Sequence, residues 1–460
     1  MSERTSRPAC SGAETAASLS GGGDRRRVIL RLALPIIGGM LSQSLLNLID
    51  AAMVGALGEI PLAGVGIGGY AIFLITAVVF GLSSGVQAQT ARRHGEQAWD
   101  QRAQALNAGL VISLAVAVPL TLLCLWQAPR LMAWINQDPA VNAEAVVYFR
   151  WRVVSLVPVA MIFCFRGYWN GIQRTGLYLR IMLAMHLVNG LASVGLIFGL
   201  AGLPAMGAAG AGAGTTLSLY VGLAIWAFYS LRHAMASGFL AARPRLETLL
   251  TTLRLAIPHS FQQIWFAAGY AMLFWILGHI GTASVAVGHV LVNLSLLLIL
   301  PGVGLGMAAM SLVGQSLGRQ DHRDARRWGW DVVSVALPCL LLLALPLLAF
   351  PEAVLGLFLH DAELIALGRQ PLQLTALMIV MDAAALVFAQ ALLGAGANRT
   401  VMTTTLTLQW LVFLPLAWWV GVHLAFGLVG IWWVQLGYRC LNSAWFAVIW
   451  QRGRWAALSV

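Results

Sequence analysis

Two carboxylates stand where carboxylates are expensive. Asp50 lies toward the far end of the apolar run that opens RLALPIIGGMLSQSLLNLIDAAMVGALGEIPLAGVGIGGY (Arg31–Tyr70), and Asp382 lies in VMDAAALVFAQALLGAGANRT. Nearly all of the 17 acidic residues fall in tails, connections or the ends of apolar runs; only these two sit well inside. An ionised Asp near the centre of a spanning helix costs about 2.5–3.5 kcal/mol on insertion scales, so it either has a partner or its charge is used. Low dielectric favours the neutral acid, and a lone buried carboxyl can then take up and release a proton near neutral pH. That chemistry lets protonation and substrate binding compete in a transporter.

Polar side chains share the interior of the same runs. Gln43, Asn47, Asn189, Ser193 and Thr215 fall in the first half, and Gln262, Gln263, Asn293 and Gln409 in the second. Amides inside spans often serve only to join helices, at about 0.6 kcal/mol each, and for any one of the Gln residues that is the favoured reading. Trp265, Trp275 and Trp410 are the mid-run candidates for a face that receives flat organic cations through cation–π contact. The other Trp residues, crowded toward the end of the chain, read as interfacial belts. Arg166 and Arg439 are expected to snorkel to the cytoplasmic face, and Arg150 and Arg152 to the opposite one.

The elements that must position these groups are membrane spans. Of 460 residues, 59% are hydrophobic and 10% charged, far below the quarter charged that is usual in a soluble domain, so the solvent is lipid. The net charge of +11 does not mark a nucleic-acid partner, because all the basic residues are Arg and they collect in alternate connections. Twelve spans are expected, near 28–52, 62–87, 105–126, 145–168, 178–200, 208–231, 251–277, 284–313, 330–350, 368–393, 402–422 and 427–450. Arg-rich connections follow the even spans, so both termini are expected in the cytoplasm and the chain in the cell inner (plasma) membrane. Residues 1–27 read as a disordered cytoplasmic tail without a cleaved signal, and 456–460 as a short C-terminal one. The five Cys stand apart and imply neither disulfides nor a metal site.

The chain repeats itself. RLALP (Arg31–Pro35) returns as RLAIP (Arg254–Pro258), 223 residues later. The same shift pairs Gly55 and Gly58 with Gly278 and Gly281, Gly81 with Gly304, Phe165 with Phe388, and Gly171 with Gly394. Two halves of six spans, 28–240 and 241–455, enter the membrane in the same direction. Such parallel repeats place a substrate site between them and suit alternating access.

Three segments resemble the multidrug and toxic compound extrusion (MATE) family, its NorM-like branch in particular, and the resemblance covers nearly the whole chain from about residue 28. LALPIIGGMLSQSLLNLIDAAMVGALGEIPLAGVGIGG is similar to the family's first span, whose functional Asp falls on Asp50. GHVLVNLSLLLILPGVGLGMAAMSLVGQSLGRQD resembles the eighth-span signature, and the tenth-span Asp falls on Asp382. The resemblance implies an all-α, V-shaped pair of six-helix lobes that exports organic, often cationic, compounds in exchange for H⁺ or Na⁺. Asp50, Asn189 and Thr215 match positions lining the family's cation site. An acidic position of some members is Ser193 here, and a seventh-span Glu of NorM-like members is Phe266. Both departures remove an oxygen ligand, which tilts the expectation to H⁺, with Na⁺ at Asp50 or Asp382 as the alternative. No cofactor or nucleic acid is expected; the partners are small organic cations and the bilayer, and the protein is expected to act as a monomer.

Two other readings compete. A flippase of lipid-linked saccharides would want a cationic cavity, and no central Arg is evident. An intramembrane aspartyl protease needs its two acids within about 3 Å to share a proton. Asp50 and Asp382 fall in different halves at non-equivalent positions, and Asp382 lacks the GxGD context. A serine protease is not supported either, since GLSSG (Gly81–Gly85) is not GxSG.

Overall fold

The computed structural model describes residues 22–458 except 201 and 242, and among these every regular element is helical. Lipid cannot satisfy backbone N–H and C=O groups, so each apolar run closes its hydrogen bonds within a helix. The N-terminal lobe comprises α1 (Gly22–Gly55), α2 (Glu59–Gly95), α3 (Gln104–Ile135), α4 (Pro139–Val153), α5 (Leu156–Gly171), α6 (Thr175–Phe198) and α7 (Ala208–His233). The C-terminal lobe follows with α8 (Leu246–Ile280), α9 (Thr282–Gly318), α10 (His322–Ala349), the short α11 (Pro351–Leu355), α12 (Ala362–Met381), α13 (Ala383–Gly394), α14 (Asn398–Leu406), α15 (Leu414–Trp418) and α16 (Gly427–Arg452).

Ten helical stretches are long and apolar enough to span, and α4 with α5, bent by 44° at their break, makes an eleventh. Helix α16, 26 residues long with Gln435, Arg439 and Asn442 buried along it, completes twelve. The tenth span is also broken, between α12 and α13 at Asp382. The eleventh runs through α14, a π-helical stretch at Thr407–Phe413, α15 and a second π-helical stretch at Trp419–His423. Helix α1 begins at Gly22 rather than 28, so residues 22–27, expected in the tail, form its first turns; residues 1–21 lie outside the described residues.

The repeat in the sequence is a repeat in space. Gly58 and Gly281, at φ +120° and +150°, precede the second helix of each lobe, in backbone conformations that favour glycine. A Cβ on Gly81 would stand 2.7 Å from Ser260 Oγ of α8, and one on its counterpart Gly304 would stand 2.6 Å from Ile37 Cγ1 of α1. Ser260 and Ile37 are themselves related by the 223-residue shift. Gly95 likewise meets the backbone of Gln315, and Gly318 that of Arg92. Each lobe therefore lays its second helix against the first helix of the other.

The lobes meet on one side of the membrane only. Among the described residues, every hydrogen bond joining them lies toward the Arg-rich connections. Ser84 Oγ pairs with His259 Nδ1 at 2.7 Å, Gln89 Nε2 donates to Thr252 Oγ1 at 2.8 Å, and Gln87 Nε2 donates to Ser311 Oγ at 2.9 Å. Gln315 Nε2 donates to the Gly171 carbonyl at 2.9 Å. At the edge, Arg25 Nη1 reaches Asp324 at 2.7 Å and its Nε reaches Asp331 at 2.5 Å, with the guanidinium 3.5 Å from the Trp328 ring centroid. Residues 81–91 and 304–318 are continuously buried along this seam. The apolar clusters agree: on this side Ile29, Leu32 and Ala33 pack with Leu305 and Ala309, and Ala256 with the α2 and α5 core. On the far side each cluster stays within one lobe.

Replacing Gly81 or Gly304 by Leu is expected to destabilise the purified protein by about 1–3 kcal/mol through overpacking, read as a lower unfolding midpoint. An unchanged midpoint in both variants would show that the seam yields freely and does not hold the lobes.

Candidate functional site

In the N-terminal lobe, α1 and α6 bring Asp50 and Asn189 together. Asn189 Nδ2 lies 3.2 Å from Asp50 Oδ1 and 3.0 Å from Oδ2, donating to the carboxylate. One turn along α6, Ser193 Oγ donates to Asn189 Oδ1 at 3.3 Å, which fixes the amide with its N–H groups toward the acid. Asn189 and Ser193 are fully buried, while Asp50 is half-buried. Helix α7 closes the group from behind: a Cβ on Gly214 would stand 2.6 Å from Ser193 Oγ. Thr215 comes next on α7, and its hydroxyl proton goes to the Ala211 carbonyl at 2.9 Å, leaving oxygen lone pairs free. Gln43 and Asn47 bond to each other at 3.0 Å along α1. Among the described residues no cation lies within ion-pair distance of Asp50, although Arg152 of the fourth span is within electrostatic range.

The C-terminal acid is built differently, and here the structure corrects the sequence reading. Arg439 does not snorkel to a surface. Its Nη1 lies 2.7 Å from Asp382 Oδ2 in an ion pair that is almost wholly buried, and Nη2 lies 3.5 Å from the Tyr270 hydroxyl. Asn442, one turn along α16 from Arg439, donates to Asp382 Oδ1 at 3.3 Å. The expectation that the cavity lacked a central Arg fails with it. Arg439 lies near the middle of the 26-residue helix α16, several turns from either end, further than a side chain can snorkel. That position was the signal, and its partner was the acid already singled out. Arg166 also turns inward, donating to Ser83 Oγ at 3.1 Å and lying 4.8 Å from the Phe163 ring centroid.

The remaining candidates of this lobe surround the pair or lie outside it. Phe266 packs edge-on to Tyr270 with centroids 5.1 Å apart, and Gln409 Nε2 donates to the Phe266 carbonyl at 3.4 Å. Trp410 packs edge-on to Trp265 at 5.0 Å and donates to its carbonyl at 3.3 Å. Gln409 and Trp410 reach α8 from the π-helical part of the eleventh span, a distortion common at functional sites. Gln262 donates to Thr405 Oγ1 at 3.3 Å, and Gln263 is half-buried on the same helix. Asn293 is exposed and bonds within its own helix to the His289 carbonyl at 2.8 Å. Trp275 stacks on Trp418 at 5.0 Å. The interlobe group of Ser84, Gln87, Gln89, His259 and Gln315 was not singled out from sequence, because its members are ordinary polar residues until the halves are superposed.

The MatE family profile matches residues 35–194 and, a second time, 258–419. The chain belongs to the MatE family. Its two matches coincide with the two lobes, and membership makes the chain a transporter, not an enzyme. It is 29% identical over 427 residues to a probable multidrug resistance protein NorM of Pseudomonas aeruginosa, covering 89% of this chain and 86% of that protein. It is 27% identical over 415 residues to the Agrobacterium fabrum counterpart, covering 88% and 89%. Among solved structures, an outward-facing multidrug resistance MATE family transporter of the MOP superfamily superposes with a TM-score of 0.86 at 21% identity, over 94% of this chain and 97% of that one. A MOP superfamily transporter from Pyrococcus furiosus gives 0.85, also at 21% identity, over 95% and 97%. The fold is therefore the two-lobe MATE fold with six spans in each parallel repeat. Among the described residues no group of three or more His, Cys, Asp or Glu could hold a metal ion.

Removing one member of a buried ion pair strands the other, at about 3–5 kcal/mol, whereas removing both costs far less. Asp382→Asn is therefore expected to lower the unfolding midpoint sharply, and Asp382→Asn with Arg439→Gln to recover most of the loss. Additive losses in the double variant would show that the two groups do not act as a pair.

Proposed function

We propose that this transporter is a multidrug efflux antiporter, exporting amphipathic organic cations in exchange for H⁺ by alternating access of two lobes that divide near residue 240. Asp50, held by Asn189 and Ser193 and flanked by Thr215, is the coupling group. The observation that carries this reading is a half-buried acid inside a span whose hydrogen-bonding partner is a neutral amide. With no ion-pair partner to fix its charge, such a group can exchange between a proton and a cationic substrate. Na⁺ is the second choice. One carboxylate faced by amide N–H donors supplies few of the oxygens that a hard cation requires. The NorM relatives are named multidrug resistance proteins, which supports small organic substrates.

The Arg-rich connections argue for an inner-membrane protein with cytoplasmic termini, acting as a monomer. In that orientation the seam of Gln87, Gln89 and His259 closes the cytoplasmic side and the cleft faces outward. Trp265 and Trp410 offer aromatic surface for flat cations, and Gln262, Gln409 and Phe266 lie beside them. The flippase alternative gains a buried Arg439, but the guanidinium is neutralised by Asp382 and leaves no net positive charge for a lipid pyrophosphate.

Ethidium movement in proteoliposomes tests the reading. A pH gradient alone is expected to drive transport by the wild type, and Asp50→Asn is expected to abolish it while leaving the protein folded. Transport that requires a Na⁺ gradient would replace H⁺ by Na⁺ as coupling ion, and gradient-driven transport by Asp50→Asn equal to wild type would remove Asp50 from the coupling step.

A further inference from the structure

We propose that Arg439 is a built-in counter-cation that keeps the C-lobe carboxylate closed to coupling cations, so that ion selectivity rests on the N-lobe acid alone. The part that assigns coupling to Asp50 rests on the antiport reading above; the closure of Asp382 does not.

Both oxygens of Asp382 are engaged, Oδ2 by Arg439 Nη1 at 2.7 Å and Oδ1 by Asn442 Nδ2 at 3.3 Å. The residue is 2% exposed. The groups around it come from three directions: Tyr270 from α8, Ser295 from α9, and Gln435, Tyr438 and Asn442 with Arg439 from α16. Among these, Arg439 is the only cation and Asp382 the only acid.

A guanidinium stays charged at any pH the protein meets. A mobile cation arriving at Asp382 would therefore join a tethered one already in contact with the carboxylate. Two like charges in a site of low dielectric repel strongly, so the second would not stay. Stability alone does not account for the pair, since an apolar pair of similar volume in a buried site is usually as stable or more so. Asp50 lacks such an occupant; a neutral amide holds it and it is half-buried.

The test uses the purified full chain in nanodiscs, with Na⁺ replacing choline at constant ionic strength and the unfolding midpoint as readout. A cation that binds the folded state raises the midpoint. The wild type is expected to show no Na⁺-specific rise. Arg439→Gln is expected to show a rise of a few degrees, which disappears when Asp382→Asn is added. A Na⁺-specific rise in the wild type that Asp382→Asn removes would overturn the proposal, as would an Arg439→Gln protein that folds and ignores Na⁺. Radioactive Na⁺ binding to Asp50→Asn is the second measurement and does not need the Arg439 variant. No saturable binding is expected, and saturable binding would overturn the proposal. A wild-type response to Na⁺ that is lost in Asp50→Asn would instead displace the H⁺ reading and leave the closure of Asp382 standing.

Discussion

The structure depends on a seam made where two backbones touch. Gly81 and Gly304, with Gly95 and Gly318, let the second helix of each lobe lie against the first helix or the second helix of the other at a separation no side chain would allow. Close backbone approach through small residues is a principal route to helix association in lipid, where no hydrophobic force draws helices together. The polar groups along the seam bond across it, as Ser84 does with His259 and Gln87 with Ser311.

That seam also explains why the two intramembrane acids differ. Each sits within one lobe, away from the contact, so neither needs to serve the joint. Asp382 stands at the break of the tenth span with a guanidinium in contact, and its charge is spoken for inside the lobe. Asp50 has an amide and a hydroxyl behind it and is only partly buried. Repeats that share a backbone plan have diverged in charge: the residue related to Asp50 by the 223-residue shift is Leu273, buried in the C-lobe core at 1% exposure.

Much of this was legible before any coordinates. Apolar runs gave the twelve spans because lipid leaves the backbone a single option, and the paired glycines at one shift gave the parallel repeat. The resemblance implied that Asp50 and Asn189 share a site, and the two are in hydrogen-bond contact; Ser193 entered there as a departure from the family's pattern, and its bond to Asn189 was not foreseen. Arg439 was misread because composition shows that an Arg lies in a span but not which helix faces it, and the Asp382 contact joins residues far apart in sequence. The beginning of α1 was placed too late because Arg25 looks like a stop signal and is instead an ion-paired residue buried against Trp328. The seam polar residues carry no signal until the halves are laid on each other.

The central claim is that a proton on Asp50 and a cationic substrate exclude one another. The most direct measurement is proton release from purified protein in weak buffer near neutral pH when ethidium is added. The account predicts release by the wild type and none by Asp50→Asn, with release kept in the Asp382→Asn, Arg439→Gln double variant. Release from Asp50→Asn equal to that of the wild type, or its loss from the double variant alone, would contradict it.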